Sequence, residues 1–120
     1  MLESRPDAAV RVFAVWEPIL VTDLAPPISS VLGRLADRRV QQYWDRRHAL
    51  SDRMTRDARP PQPTADCCVR NGHLWDLGAV YPPGVTWADR MPPATVFNGS
   101  VVDITDQIAA ALGAGTVQPR

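Results

Sequence analysis

Residues 91–115, MPPATVFNGSVVDITDQIAAALGAG, carry the densest run of structural signals in the chain. Pro92 and Pro93 open it and cannot continue a helix or a central strand. Ala94 to Phe97 and Ser100 to Ile104 are short apolar-rich runs separated by Asn98-Gly99. Asn-Gly between two such runs is the strongest local signal for a hairpin with a type I′ turn, which requires φ > 0 at both central residues and therefore at Gly99. Asp103 or Thr105 then caps a final helix with Ile108, Ala111 and Leu112 inward and Gly113 terminating it.

Working back from this hairpin, Ala8 to Trp16 (AAVRVFAVW) is rich in β-branched and aromatic residues with one charge, the composition of a parallel strand covered on both faces. It ends at Glu17-Pro18. The following residues read as loop up to Ser29 or Ser30, either of which can N-cap a short helix through Leu32, Leu35 and Ala36. Arg39 to Trp44 (RVQQYW) is half polar and reads as a strand at a sheet edge. Asp45 caps a helix predicted over residues 46–58, where Leu50, Met54 and Ala58 form one apolar stripe, and Pro60-Pro61 stops it. Pro60 to Gly72 is a proline-rich loop, and Leu74 to Tyr81 (LWDLGAVY) is a third strand closed by Pro82-Pro83-Gly84.

A chain of 120 residues suits one α/β domain with a modest core, residues 1–7 and 114–120 being expected as loose termini. Hydrophobic residues at 45% against 22% charged exclude wholesale disorder. All thirteen basic residues are arginine, which reads as coding bias. Residues 34–59 hold eight arginines against four aspartates, a local excess within a neutral chain. A nucleic-acid surface would cluster such an excess with interleaved aromatics. Here Asp37, Asp45, Asp52 and Asp57 fall among the arginines at pairing distances, as on a solvated helical face. No basic-then-apolar leader opens the sequence, and the longest apolar run, Val12 to Trp16, is too short to span a bilayer. The expected compartment is cytoplasmic, with no nucleic-acid or membrane partner.

Cys67 and Cys68 are the only cysteines and are adjacent. Two neighbouring thiolates can clamp a soft ion such as Hg(II), As(III) or Cu(I), can close an eight-membered disulfide ring, or can act as resolving thiols. Arg70 is placed to favour the thiolate, and His73 is the natural third ligand or base if the loop folds back. The competing reading is that the two cysteines are small apolar packing residues. His48 reads as a surface residue. Trp44-Asp45 and Trp75-Asp76 set an aromatic beside a carboxylate, which suits indole N–H groups needing acceptors. There is no phosphate-binding glycine motif and no arguable catalytic triad.

The proline, hairpin and helix at MPPATVFNGSVVDITDQIAAAL resemble the C-terminal half of the thioredoxin-like superfamily. VRVFAVWEP is similar to the strand after that family's first helix, and RVQQYWDRRHAL to the extra strand and helix of its peroxiredoxin-type and thiol-reductase members. The resemblance implies a mixed sheet with flanking helices, and a cis proline at Pro93, with Pro92 as the alternative. It departs in having no upstream C-x-x-C, since only a few residues precede the first strand, so disulfide oxidoreductase activity of the usual kind is not expected. The missing strand would be central, and its gap must close by rearrangement or by a second chain. The expectation is thus a truncated or rearranged thioredoxin-like domain acting as a non-catalytic binding or assembly module that self-associates. The alternative is a thiol protein using Cys67-Cys68 for soft-metal binding or redox chemistry. No other cofactor is implied.

Overall fold

Val12–Trp16 forms the first strand, β1, and Val40–Trp44 the second, β2, paired in parallel from Val12↔Val40 to Trp16↔Trp44. In this computed structural model the described residues are 1–58 and 67–114. The connection between the strands holds a short helix α1, Ser29–Leu32, which tightens into a 3₁₀ turn at Gly33–Leu35. No serine side chain caps α1; the residue preceding it is Ile28. Strand alternation puts Trp16 and Gln42 on one face of the pair. There the indole N–H of Trp16 donates to Gln42 Oε1 at 3.0 Å, and Gln42 Nε2 donates to the Leu32 carbonyl at 2.9 Å, tying α1 onto that face. The other face is open. Phe13 is 54% exposed and Tyr43 51%, their rings 6.3 Å apart, so β1 is covered on one face and not on both as its composition suggested.

After β2, Asp45 accepts the backbone N–H groups of Ala49 (3.0 Å) and Leu50 (2.8 Å) and so starts α2, Ala49–Asp57. The helix begins three residues later than predicted because Arg46 and Arg47 form a turn and His48 sits at φ 56°. Val69–Arg70 (β3) and His73–Leu74 (β4) pair antiparallel, and Leu77–Val80 (β5) pairs antiparallel with Val96–Gly99 (β6). The predicted third strand is therefore two, broken at Trp75-Asp76, where Asp76 takes φ 49°. Thr105–Ala114 forms α3, which runs one residue past Gly113. It seats on β5 because Gly78 has no side chain: a Cβ there would lie 2.9 Å from Ile104 Cδ1 and 3.2 Å from Ile108 Cδ1.

Two expectations about the C-terminal region give way. Asn98-Gly99 is not a turn: both residues lie in β6, Gly99 is not at positive φ, and residues 101–104 form a turn into α3 instead of a second hairpin strand. Ser100 organises that turn, its hydroxyl meeting Asp103 Oδ2 at 2.6 Å and its carbonyl accepting the N–H of Asp103 at 2.9 Å. The peptide bonds entering Pro92 and Pro93 are both trans.

Among the described residues the result is a mixed α/β architecture of three separate two-stranded sheets. The buried core is small, with Leu74, Met91 and Phe97 at its centre and Met54, Leu77, Tyr81 and Trp87 packed around them. Residues 1–7, expected to be loose, are held by Arg39, whose guanidinium donates to the carbonyls of Leu2 (2.9 Å) and Arg5 (2.7 Å) while pairing with Asp37 at 2.7 Å. Of the predicted loose C-terminal residues, 115–120 lie outside the described ones, as do residues 59–66 of the proline-rich loop. No helix among the described residues is long and apolar enough to cross a membrane.

Candidate functional site

Asn71 (φ 52°) and Gly72 (φ 81°) form the two-residue turn between β3 and β4. Two successive positive φ angles are the type I′ signature, and Asn-Gly is the pair that tolerates them at least cost. The same dipeptide thus occurs twice in the sequence, and the hairpin forms at the first. Its ladder runs Arg70↔His73 and Val69↔Leu74, and the N–H of Trp75 donates to the Cys68 carbonyl at 3.1 Å, extending it one step further. Cys68 is thereby fixed to a regular element, 2% exposed, while Cys67 beside it is exposed.

The two sulfurs are joined in a vicinal disulfide. It rests on a platform made by the Asp76 corner and the end of β6. Cys68 Sγ lies 3.7 Å from the Asp76 carbonyl oxygen, and Asp76 Oδ1 accepts the N–H of Val101 at 3.1 Å, locking the corner to the turn beyond β6. The β5–β6 register pairs Leu77 with Gly99 and so sets Gly99 directly beside Asp76. A Cβ on Gly99 would overlap both the Asp76 carbonyl oxygen and Cys68 Sγ, and would sit 3.0 Å from Cys67 Sγ. This glycine is required by close approach, not by turn geometry.

A second constellation lies at the other end of the hairpin. His73 stacks on His48 with ring centroids 3.7 Å apart and planes 11° from parallel. His48 Nδ1 is 3.1 Å from Glu17 Oε2, and His73 Nδ1 is 3.0 Å from Asp52 Oδ1. A carboxylate only accepts, so each Nδ1 carries a hydrogen and donates it. His48 and Glu17 are nearly buried, their side chains 14% and 12% exposed. Burial pushes the Glu17 carboxyl above its ordinary range, and this outweighs the downward pull of its hydrogen bond to His48. The cluster clamps the end of β1 to α2 and β4, helped by Asn71 Nδ2 donating to the Ile19 carbonyl at 3.1 Å.

The structure thus separates the residues that the sequence grouped. Cys67 and Cys68 stay together, but His73 turns to Asp52 and His48 instead of joining them. The Arg70 guanidinium lies over the Trp75 ring, 5.4 Å from its centroid, on the hairpin that carries Cys68. Both sulfurs are spent on each other, and among the described residues no group of three or more His, Cys, Asp or Glu is placed to hold a metal ion. Asp45 and Asp76 serve backbone N–H groups, not indoles. Gly99, Asp76, Glu17, Asp52 and the engagement of His48 were not anticipated. The Asn71-Gly72 dipeptide was the available signal, since a turn there sets Cys68 opposite Trp75 by simple register counting. No protein-family model, curated protein or solved structure matches this chain.

Proposed function

We propose that this chain is a small thiol–disulfide protein in which Cys67 and Cys68 alternate between a vicinal disulfide and a dithiol. The observation that carries this reading is the seat under the pair. A glycine whose Cβ would strike a sulfur, a backbone corner fixed through Asp76, and one sulfur open to solvent form a built environment, not incidental packing. A reversible couple needs the disulfide to fit without displacing its surroundings, and Gly99 supplies that room. Soft-metal binding by the reduced pair draws on the same two thiolates and is the companion chemistry of this site.

Equilibration against mixtures of reduced and oxidised glutathione, followed by acid quench, alkylation and mass measurement, tests the reading. The expected result is a two-electron transition between a form taking up two alkyl groups and a form taking up none. Two permanently free thiols at every ratio would overturn it.

The second reading is a binding or assembly module that pairs with a second copy of itself, and it rests on the open edge and open face of β1. Kinship to thioredoxin-like proteins belongs to this proposal as well. In its favour is the parallel pair β1–β2 followed by an antiparallel pair and a closing helix. Against it stand the trans bonds at Pro92 and Pro93 and the division of the strands among three sheets.

A further inference from the structure

We infer that the two sulfurs are not equivalent: Cys67 is the exchange sulfur, attacked by incoming thiols in the disulfide form and nucleophilic in the dithiol form, and Cys68 is its buried leaving and resolving partner. This rests on the redox reading above and adds the direction of the reaction and the class of substrate, which is a low-molecular-weight or protein thiol. An attacking thiolate must approach one sulfur along the S–S axis from the side opposite the other. Cys68 is 2% exposed, so an incoming thiolate has no access to its sulfur, whereas Cys67 is exposed.

The step balances as ordinary exchange. A thiolate RS⁻ forms a bond to Cys67 Sγ, the Cys67–Cys68 bond breaks, and its electron pair leaves on Cys68 Sγ, which takes a proton from water. In the disulfide form Cys68 Sγ has no hydrogen, and its contact with the Asp76 carbonyl oxygen is packing. Once released and protonated, the same sulfur has an acceptor already in place at 3.7 Å. A second RS⁻ then takes the R sulfur from Cys67, giving RSSR and the Cys67 thiolate. In the opposite direction the Cys67 thiolate attacks a disulfide RSSR and expels RS⁻, leaving Cys67–S–SR; Cys68 gives up its proton to water and its thiolate attacks Cys67 Sγ, displacing the second RS⁻.

The test starts with the reduced full-length chain, given a brief pulse of limiting iodoacetamide and mapped by peptide mass. Cys67 should carry nearly all of the label, because the reagent reaches the exposed cysteine and not the buried one. Equal labelling, or an excess on Cys68, overturns the assignment. Incubation of Cys68→Ser with oxidised glutathione should accumulate a stable mixed disulfide on Cys67. Cys67→Ser should form none until denaturant is added, and rapid glutathionylation of folded Cys67→Ser would overturn the assignment equally. Because the labelling uses only the reduced protein, a wild type that never closes its disulfide defeats the redox reading while leaving the ranking of the two sulfurs measurable.

Discussion

Gly99 is the residue on which the site depends. A methyl group there must displace either the Asp76 carbonyl or the sulfurs, and overpacking of this kind costs about 1–3 kcal/mol. Gly99→Ala should therefore lower the chemical-denaturation midpoint and also shift the thiol–disulfide equilibrium toward the dithiol, which is the form that can move aside. A loss of stability with no redox shift would place the clash away from the sulfurs. Ser51 makes the reverse case. It is buried on α2, and its hydroxyl has no hydrogen-bond partner among the described residues. Burying an unpaired hydroxyl costs about 1–3 kcal/mol, so Ser51→Ala should raise the thermal midpoint, measured by circular dichroism. Tyr81 shares the defect: its hydroxyl is buried without a partner among the described residues, and burial pushes its pKa up to about 12.

At the scale of elements, α2 packs on β4, and two carboxylates on and beside it respond to pH in opposite senses. Asp57 accepts the Met91 N–H at 2.7 Å and the Arg53 guanidinium at 3.1 Å, and the Met91 bond is the main reason that its pKa is held below the ordinary value. Its stabilising contribution is present above the unfolded pKa and is lost as pH falls through the folded one. Asp57→Asn should accordingly flatten the acid limb of a plot of thermal midpoint against pH. Glu17 has its pKa raised by burial, so its contribution is fully present below the unfolded pKa and is lost as pH rises through the folded one. Glu17→Gln, which keeps an acceptor for His48, should gain on the wild type as pH rises above the ordinary carboxylate range; a difference that does not change with pH would show that Glu17 is not buried as described. These elements also show what was legible. β1, β2 and α2 were readable within a few residues because their apolar periods and the cap at Asp45 are local signals. The hairpin was assigned to the wrong Asn-Gly because both dipeptides satisfy the local rule. What separates them is tertiary: Asn98-Gly99 is held extended by its pairing with Leu77-Gly78, a partner that no local window contains. The two-histidine clamp was invisible for the same reason, since its four residues come from three elements.

At the scale of the whole molecule, the parallel pair β1–β2 is the part that does not complete itself. Parallel strands occur almost always with both faces covered and within larger sheets. Here one face carries exposed Phe13 and Tyr43, and β1 pairs with β2 alone. The ladder toward β2 begins with the N–H of Val12 donating to the Arg39 carbonyl at 2.9 Å and ends with that of Asp45 donating to Trp16 at 2.7 Å. By strand alternation the N–H and C=O groups of Phe13 and Val15 therefore point to the other edge, where no strand lies among the described residues. We expect a second copy to pair with that edge in antiparallel register about a two-fold axis at Ala14. Phe13 then faces Val15 of the partner subunit in a hydrogen-bonded pair, the relation repeats on the other side, and the interface is closed as a symmetric dimer requires. Covering even a few hundred Å² of apolar surface is worth roughly 25 cal/mol per Å², several kcal/mol in all, which is comparable with the net stability of a domain with so small a core. We therefore expect a homodimer whose weight-average mass by light scattering falls toward the monomer on dilution. Phe13→Asp should yield a monomer with an unchanged far-ultraviolet spectrum, because the side chain is exposed within the protomer. A wild-type chain that is monomeric over the whole concentration range would sink the assembly reading, and the vicinal cysteines would remain as the one functional proposal.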